Sequence, residues 1–135
     1  MSESANKKTA RAFIDALSRG DVDAMAQVIA EDILADAKGT SVVSGHRNHA
    51  EVLEAVAGIR ASTKDGIDFD IVALTEEGDT VVCEVQGASE LVTGQPYNNE
   101  YAFVFTIRDG RVCAIREYFD TKLAEETMGP LLAAQ

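Results

Sequence analysis

The segment from Tyr97 to Asp120 constrains the fold of this chain more than any other part of the sequence. Its two halves are separated by Asp109-Gly110, a pair that favours a tight hairpin turn. Alternate positions on either side of the turn carry apolar residues: Tyr101, Phe103, Phe105, Ile107, Cys113, Ile115 and Phe119. A period of two residues is typical of strands that bury one face. We therefore predict a long antiparallel hairpin with one buried side.

Two polar residues, Asn99 and Glu117, share the parity of this apolar face. Burial of an ionised carboxylate without a partner is costly. Glu117 is therefore expected to be hydrogen-bonded, to be protonated, or to face a cavity that holds water or a ligand. The sequence leaves these three alternatives open.

The other predicted elements are mainly helices before the hairpin and strands close to it. Helical spacing and end signals predict helices at residues 4–18, from the N-cap Asp21 to about residue 29, and at 47–61. Alternation predicts strands at 33–37, 67–75 and 80–91 and a brief extended piece at 42–43, and a last helix at 121–128 is expected to end at Gly129-Pro130. This order indicates an α+β domain, with helices on one face of a curved sheet and a cone-shaped space between them.

Length and charge narrow the classes of function. A chain of 135 residues is predicted to form a single domain over residues 1–135. Its net charge of −11 repels phosphates, so we expect no nucleic-acid and no membrane partner. The sequence has neither an apolar signal segment nor a run of about 18 uncharged apolar residues, and we expect a cytoplasmic protein.

Metal and cofactor sites are not expected. Cys83 and Cys113 lack the spacing of metal ligands and are predicted to be free thiols in a reducing compartment. His46 and His49 have no third ligand near them in sequence and are predicted to be surface residues. We predict no cofactor, because no glycine-rich phosphate loop accompanies Gly45.

Short motifs follow one another along nearly the whole chain. They are Phe13-Ile-Asp-Ala-Leu17 with Gly20-Asp21, Ile29-Ala-Glu-Asp32, Ser44-Gly45, Thr93-Gly94 with Tyr97-Asn98, Gly110-Arg-Val112, and Arg116-Glu-Tyr-Phe-Asp120. In this order the chain resembles the nuclear transport factor 2 family-like superfamily, in particular its SnoaL-like members and limonene epoxide hydrolase. The resemblance implies a cone-shaped α+β barrel, in which three N-terminal helices pack on a strongly curved, mainly antiparallel sheet.

The epoxide hydrolase site is only partly retained. The resemblance places Glu117 at the last acid of that site, Glu84 at its arginine and Gln86 at its other aspartate. The tyrosine and asparagine of the site fall on Ala35 and Ala37. Because epoxide opening needs a cation to polarise the oxirane oxygen, we do not expect an epoxide hydrolase of that type.

The steroid isomerases of the same superfamily match no better. Phe13 and Phe103 stand where their oxyanion-stabilising donors are expected, and phenylalanine donates no hydrogen bond. The base of these enzymes falls near Asp36 or Ala37. The resemblance therefore predicts a pocket without predicting either reaction.

The alternation and the resemblance together predict that Glu84 and Glu117 both point into the cone. Two carboxylates in an apolar site push one pKa upward, so an acid and a base can coexist near neutral pH. Our hypothesis is proton transfer on an apolar substrate, either isomerisation or cyclisation, with Glu117 as base and Glu84 or Tyr101 as donor. The predicted ligand-binding residues are Phe13, Leu17, Ala35, Ala37, Gln86, Asn99, Tyr101, Phe103 and Phe119.

Structural roles are the alternative for the same residues. The two glutamates can pair with Arg116, Arg60 or Lys64, and Asn99 can pair with Gln86 across the strands. The domain would then be a non-catalytic ligand-binding module, or an assembly module whose cone its own side chains fill. We also predict a homodimer through the opposite, apolar sheet face, to which we assign Val81, Cys83, Val85, Ala102 and Val104.

Overall fold

The computed structural model describes residues 3–133, which form helices packed on a single sheet. In chain order the elements are α1 (Ala5–Arg19), α2 (Val22–Val28), β1 (Ile29–Ala37), β2 (Gly45–Arg47), α3 (His49–Ser62), β3 (Asp68–Glu77), β4 (Thr80–Ala88), β5 (Asn99–Arg108), β6 (Arg111–Phe119) and α4 (Thr121–Ala133). The strand order is β2-β1-β6-β5-β4-β3, and every neighbouring pair is antiparallel except β1 with β6. The predicted α+β class is confirmed.

The predicted hairpin is confirmed as β5 and β6. Asp109 and Gly110 both have positive φ, at 52° and 75°, as a two-residue turn matching the twist of the strands requires. One detail is wrong, because the pairing register shifts between Thr106 and Ile107. The bulge changes the parity of the first part of β6, so Val112 is fully buried in the position predicted for Cys113.

The sheet has two faces that differ in composition. The inner face, against the helices, buries Val81, Cys83, Val85, Phe103 and Phe105. Register shifts in β1, in β3 and between β5 and β6 increase the local twist, and they curve the sheet around the helices. The result is a cone with a packed narrow end, where rings such as Phe13 and Phe105 lie 5.0 Å apart between centroids.

The outer face carries the alternate residues of the same strands. Ala102 pairs with Tyr118 and Val104 pairs with Arg116 on this face, which the helices leave open. The assignment of Ala102 and Val104 to this face therefore holds, whereas that of Val81, Cys83 and Val85 is wrong. Those three side chains pack in the core.

Capping explains the boundaries of α1 and α3. Ser4 caps the start of α1 and Gly20, with φ 61°, ends it, within one residue of the prediction. Asn48 and Glu51 form a reciprocal capping box, so α3 begins at His49. Arg47 consequently belongs to β2, and the extended segment predicted at 42–43 lies at 45–47 instead.

The last helix is longer than predicted. Gly129 and Pro130 lie inside α4, although proline cannot donate the hydrogen bond that this position normally makes. The following Leu131 and Leu132 line the space between helices and sheet, and this packing offsets the local loss. Contact of the apolar residues after Pro130, rather than helix propensity, therefore explains why α4 continues past Gly129 and Pro130. None of the helices within residues 3–133 has the length and apolar character needed to cross a membrane.

Candidate functional site

A cavity of about 540 Å³ occupies the wide end of the cone. The inner face contributes Phe69, Tyr101, Phe103, Glu117 and Phe119 to its wall, and α1 contributes Leu17. The other walls come from α3, with Ile59 and Ser62, and from α4, with Met128, Leu131 and Leu132. Its size and largely apolar lining are those of a site for a small molecule.

Most of the predicted apolar ligand-binding residues lie at this cavity or next to it. Leu17, Tyr101, Phe103 and Phe119 line the main cavity. Phe13, Ala35 and Ala37 line a recess of about 70 Å³ that shares Leu17, Phe103 and Glu117 with the cavity. The inward parity of the hairpin thus places its aromatic residues where the alternation predicted.

Glu84 and Gln86 lie on the other side of the sheet, and their predicted position in the cone is wrong. Glu84 is exposed opposite Ala102, and Gln86 is exposed opposite Glu100. Pairing with β5 turns the odd residues of β4 inward, so Val85 takes the buried position. The two-carboxylate site of the sequence-based hypothesis therefore does not form.

Asn99 is buried with only 3% of its surface exposed, but it lies behind the cavity wall and does not line it. Its Nδ2 donates to the Tyr97 hydroxyl at 2.9 Å and to the Asp120 carbonyl at 3.1 Å. Its Oδ1 accepts from the backbone N–H groups of Glu100 at 2.8 Å and Asp120 at 3.2 Å. These partners replace the expected pairing with Gln86. Asn99 fixes the Tyr97 hydroxyl at the cavity and ties β5 to the start of α4.

Glu117 points inward from β6, opposite Phe103 and beside Ala37. Within residues 3–133 its carboxyl group forms no hydrogen bond and no ion pair, and it borders both the cavity and the recess. Burial raises the pKa of Glu117 from 4.5 to about 7, while the positive charge of Arg47 acts in the opposite direction. Among the three alternatives drawn from the sequence, the structure corresponds to a carboxyl facing a cavity.

Two tyrosines accompany the carboxyl group. Burial raises the pKa of the Tyr101 phenol above its ordinary value, and the nearby Tyr97 and Glu117 act in the same direction. Burial also raises the pKa of Tyr97. Tyr101 is held by stacking on Phe103 at 5.5 Å and by an edge contact with Phe69 at 5.6 Å. Both phenols therefore remain neutral hydrogen-bond donors near neutral pH.

Residues 10–115 match the SnoaL-like domain family. The chain belongs to this family. Two solved structures have the same fold. PrhC from Penicillium brasilianum is 21% identical, with a TM-score of 0.83 and coverage of 97% of this chain and 90% of that one. A limonene epoxide hydrolase-like epoxide hydrolase of Mycobacterium tuberculosis is 19% identical, with a TM-score of 0.72 and coverage of 97% of both chains. The predicted membership of the nuclear transport factor 2 family-like superfamily is confirmed.

One curated relative shares a short segment with this SnoaL-like domain. UPF0523 protein B of Dictyostelium discoideum is 50% identical over 36 residues, which span 23% of this chain and 22% of that protein. The two solved structures share only 21% and 19% identity with this chain, so they establish its fold alone. The chemistry of the cavity has to be argued from its own residues.

Sequence reasoning missed several polar residues of the SnoaL-like domain's cavity, and Arg47 and Tyr97 are the two with the largest side chains. The predicted helix begins at Arg47, although the Asn48-x-x-Glu51 capping signal makes Asn48 the N-cap and His49 the first helical residue. Tyr97 precedes β5 in a loop, where alternation gives no parity. Within residues 3–133 no group of three or more His, Cys, Asp or Glu residues is arranged to hold a metal ion.

Proposed function

We propose that this SnoaL-like domain binds a small apolar molecule in its cone and transfers a proton on it, with Glu117 as the general base. The reaction would be an isomerisation or an intramolecular cyclisation. The observation that carries this proposal is the position of the Glu117 carboxyl group. It faces a mostly apolar cavity of about 540 Å³ without a hydrogen-bonding partner in residues 3–133.

The ionisation of Glu117 suits this role. A general base is most effective when its pKa lies near the working pH, and burial raises the pKa of Glu117 to about 7. The carboxylate can then accept a proton from carbon and return it to another atom of the same molecule. These two proton transfers need no metal ion and no second substrate.

The donor in this proposal is a tyrosine. Glu84 cannot take part, because its side chain is exposed on the outer face. Tyr101 and Tyr97 both border the cavity, and the Tyr97 oxygen accepts a hydrogen bond from Asn99, which leaves its own proton free to be donated to a ligand. We assign them the role of hydrogen-bond donors to an oxygen of the bound molecule.

A non-catalytic carrier is the second candidate. The same apolar lining supports it, because apolar area alone provides binding. An enzyme of the proposed kind would require Glu117 for turnover. In a carrier, Glu117 would be only one residue of the cavity wall. A probe reaction that needs nothing except a base in an apolar site separates them.

The ring-opening elimination of 5-nitrobenzisoxazole is such a reaction. The base removes the ring C–H proton, the C–H electrons form the nitrile as the N–O bond breaks, and the product is a coloured cyanophenolate. We expect the wild-type protein to accelerate it over buffer, with a rate that rises with pH and levels off above about 7. Glu117→Gln should lose about 100-fold or more of the protein-dependent rate.

Glu84→Gln is the matched control, because it makes the same change on the outer face. It should keep the wild-type rate. Equal rates for wild type and Glu117→Gln would remove the catalytic role, and binding of the probe without turnover would favour the carrier.

We further propose that the outer face is covered by a second copy of the chain. Leu34 and Tyr118 on this face are 70% and 45% exposed, and Ala102 and Val104 lie on the same face of the neighbouring strand β5. These apolar side chains are mixed with charged ones such as Glu84 and Arg116, a composition that is found in protein interfaces. A homodimer leaves the cavity accessible, because the cavity lies on the opposite side of the sheet.

A further inference from the structure

The cavity contains one charged group that the proposed base chemistry does not use, the guanidinium of Arg47. It comes from the last residue of β2 and borders both the cavity and the recess, as Glu117 does. Its Nη2 donates to the Val43 carbonyl at 2.8 Å, which fixes the plane of the group. Within residues 3–133 its other N–H groups have no acceptor, and it forms no ion pair. An arginine in an apolar cavity with unused donors is equipped to bind an oxygen anion.

Few other charged side chains lie near Arg47 and Glu117. The cavity linings contributed by α1, α3 and α4 are uncharged, and β5 with the loop before it contributes the neutral phenols Tyr101 and Tyr97. On β1, Asp36 borders only the recess, and its carboxylate is paired with Lys38 at 2.5 Å. Arg47 and Glu117 are therefore the only charged side chains that line the main cavity among the described residues.

We propose that Arg47 is an anion-binding residue and that the ligand of the cavity is an apolar molecule bearing one negatively charged oxygen group, such as a carboxylate or a phenolate. The apolar skeleton would lie against the aromatic wall formed by Phe103, Phe119 and Tyr101. The anionic group would face Arg47, with the Tyr97 hydroxyl as a second donor. This inference rests on the proposed function of the cavity as a small-molecule site, and it adds the chemical class of the molecule.

Protonation of Glu117 follows from this arrangement. An anion at Arg47 screens the positive charge that favours the Glu117 carboxylate and adds a negative charge nearby. Binding of the anion should therefore raise the pKa of Glu117 further, so the complex takes up a proton near pH 7 and its carboxylate acts as the base only at a higher pH. Affinity for an anion is expected to fall as the pH rises through about 7, since the ionised carboxylate then repels it.

Two dyes with the same skeleton test the proposal. 8-Anilinonaphthalene-1-sulfonate carries a permanent negative charge, and N-phenyl-1-naphthylamine is the same molecule without the sulfonate. Fluorescence titration at pH 6 should show both dyes binding to the wild type. Arg47→Met should weaken binding of the sulfonate about tenfold or more and change binding of the neutral dye by less than about twofold.

Three variants serve as controls. Arg116→Met removes an exposed arginine of the outer face and should leave both affinities unchanged. Arg47→Lys keeps the charge and should retain part of the preference for the sulfonate. Gly58→Trp places a large side chain in the α3 wall of the cavity, where a Cβ meets nothing within 4 Å, and should weaken both dyes.

Each outcome has a distinct meaning. Equal losses for both dyes in Arg47→Met, or no loss for either, would overturn the anion site and leave the cavity as an apolar binding site. Failure of both dyes to bind the wild type, or insensitivity of both to Gly58→Trp, would overturn the proposed binding function together with the anion site. Because loosely packed proteins also bind these dyes, the variants must keep the near-ultraviolet circular dichroism and the cooperative melting of the wild type.

The pH dependence provides an independent readout. In the wild type, the affinity for the sulfonate should fall between pH 6 and pH 8, while the affinity for the neutral dye stays constant. Glu117→Gln should abolish the fall. A sulfonate affinity that falls equally in Glu117→Gln would show that another group repels the anion and would contradict the arrangement.

Discussion

Replacement of Glu117 by glutamine should stabilise the folded protein, and more so as the pH rises. The folded state holds this carboxyl proton more tightly than the unfolded chain, because burial raises the pKa from 4.5 to about 7. The penalty for ionising Glu117 is therefore nearly absent below about pH 4.5, grows through the interval between the two values, and is complete above about pH 7. Glutamine has the same shape and never ionises.

The size of the effect follows from the shift. Each pKa unit corresponds to about 1.4 kcal/mol, so the full cost of ionisation is about 3 kcal/mol. Between pH 5 and pH 8 the stability of Glu117→Gln should rise relative to wild type by about 2.5 kcal/mol. For a domain of this size, that corresponds to a difference in melting temperature of roughly 10 °C. Any water that solvates the carboxylate in the cavity lowers this cost.

The measurement is urea unfolding of both proteins at pH 5, 6, 7 and 8, at one fixed protein concentration. Glu84→Gln supplies the baseline, because it removes one negative charge from the exposed face of a chain whose net charge is −11. The difference between Glu117→Gln and wild type should grow with pH beyond this baseline. A difference that is the same at all four values would show that the folded state solvates Glu117 as water does. Glu117 would then lack the raised pKa that suits a general base near neutral pH.

Two further predictions concern the backbone and the outer face. Gly66→Ala should lower the free energy of unfolding by roughly 3 kcal/mol or more, because φ is +76° and the new Cβ would lie 2.3 Å from the Ser18 carbonyl oxygen. Gly78→Ala, at φ +58° with open space around it, should lower it by about 1 kcal/mol. Equal losses in urea unfolding would contradict the role of the Ser18 contact. The wild type should have about twice the 14.4 kDa mass of one chain by light scattering, and Val104→Glu on the outer face should halve that mass. Val92→Glu, which adds a charge at an exposed valine away from the sheet, should remain dimeric, and a monomeric wild type would exclude the interface.

The hairpin of β5 and β6 could be predicted because its two faces differ strongly in composition. Large aromatic residues occupy alternate positions of β5, so only one register buries them. Glu117 inherits its inward orientation from the same pattern, opposite Phe103. The sequence therefore located both the sheet and the carboxyl group of the site.

The orientation of β4 was not determined by its own sequence. Val81, Val82 and Cys83 are consecutive apolar residues, so neither parity is clearly favoured along this strand. The partner strand decides, because Cys83 pairs with Phe103 and must share its face. Glu84 is therefore directed outward. Strand pairing thus reverses the inward orientation of Glu84 that the resemblance to related proteins implied.

The remaining parts of the site depend on contacts between distant segments. The α4 wall forms because Leu131 and Leu132 pack at the cavity, against the usual effect of Gly129 and Pro130. Arg47 reaches the cavity from a three-residue strand that exists only by pairing with β1. The capping signal at Asn48 excludes Arg47 from α3, but no local signal predicts the pairing of β2 with β1 or the packing of Leu131 and Leu132.

The parallel pairing of β1 with β6 has a consequence for folding kinetics. Ala37 lies beside Glu117 in this pair, with most of the chain between them, and contacts of such long sequence separation form slowly. During synthesis, β6 is made after α3, β3, β4 and β5, so until then β1 can pair only with β2. The hairpins of β3, β4 and β5 are local and can form earlier. Loss of water around Glu117 therefore belongs to the final closing step, and proton uptake by this side chain during refolding near pH 6 would report completion of the native topology rather than early collapse.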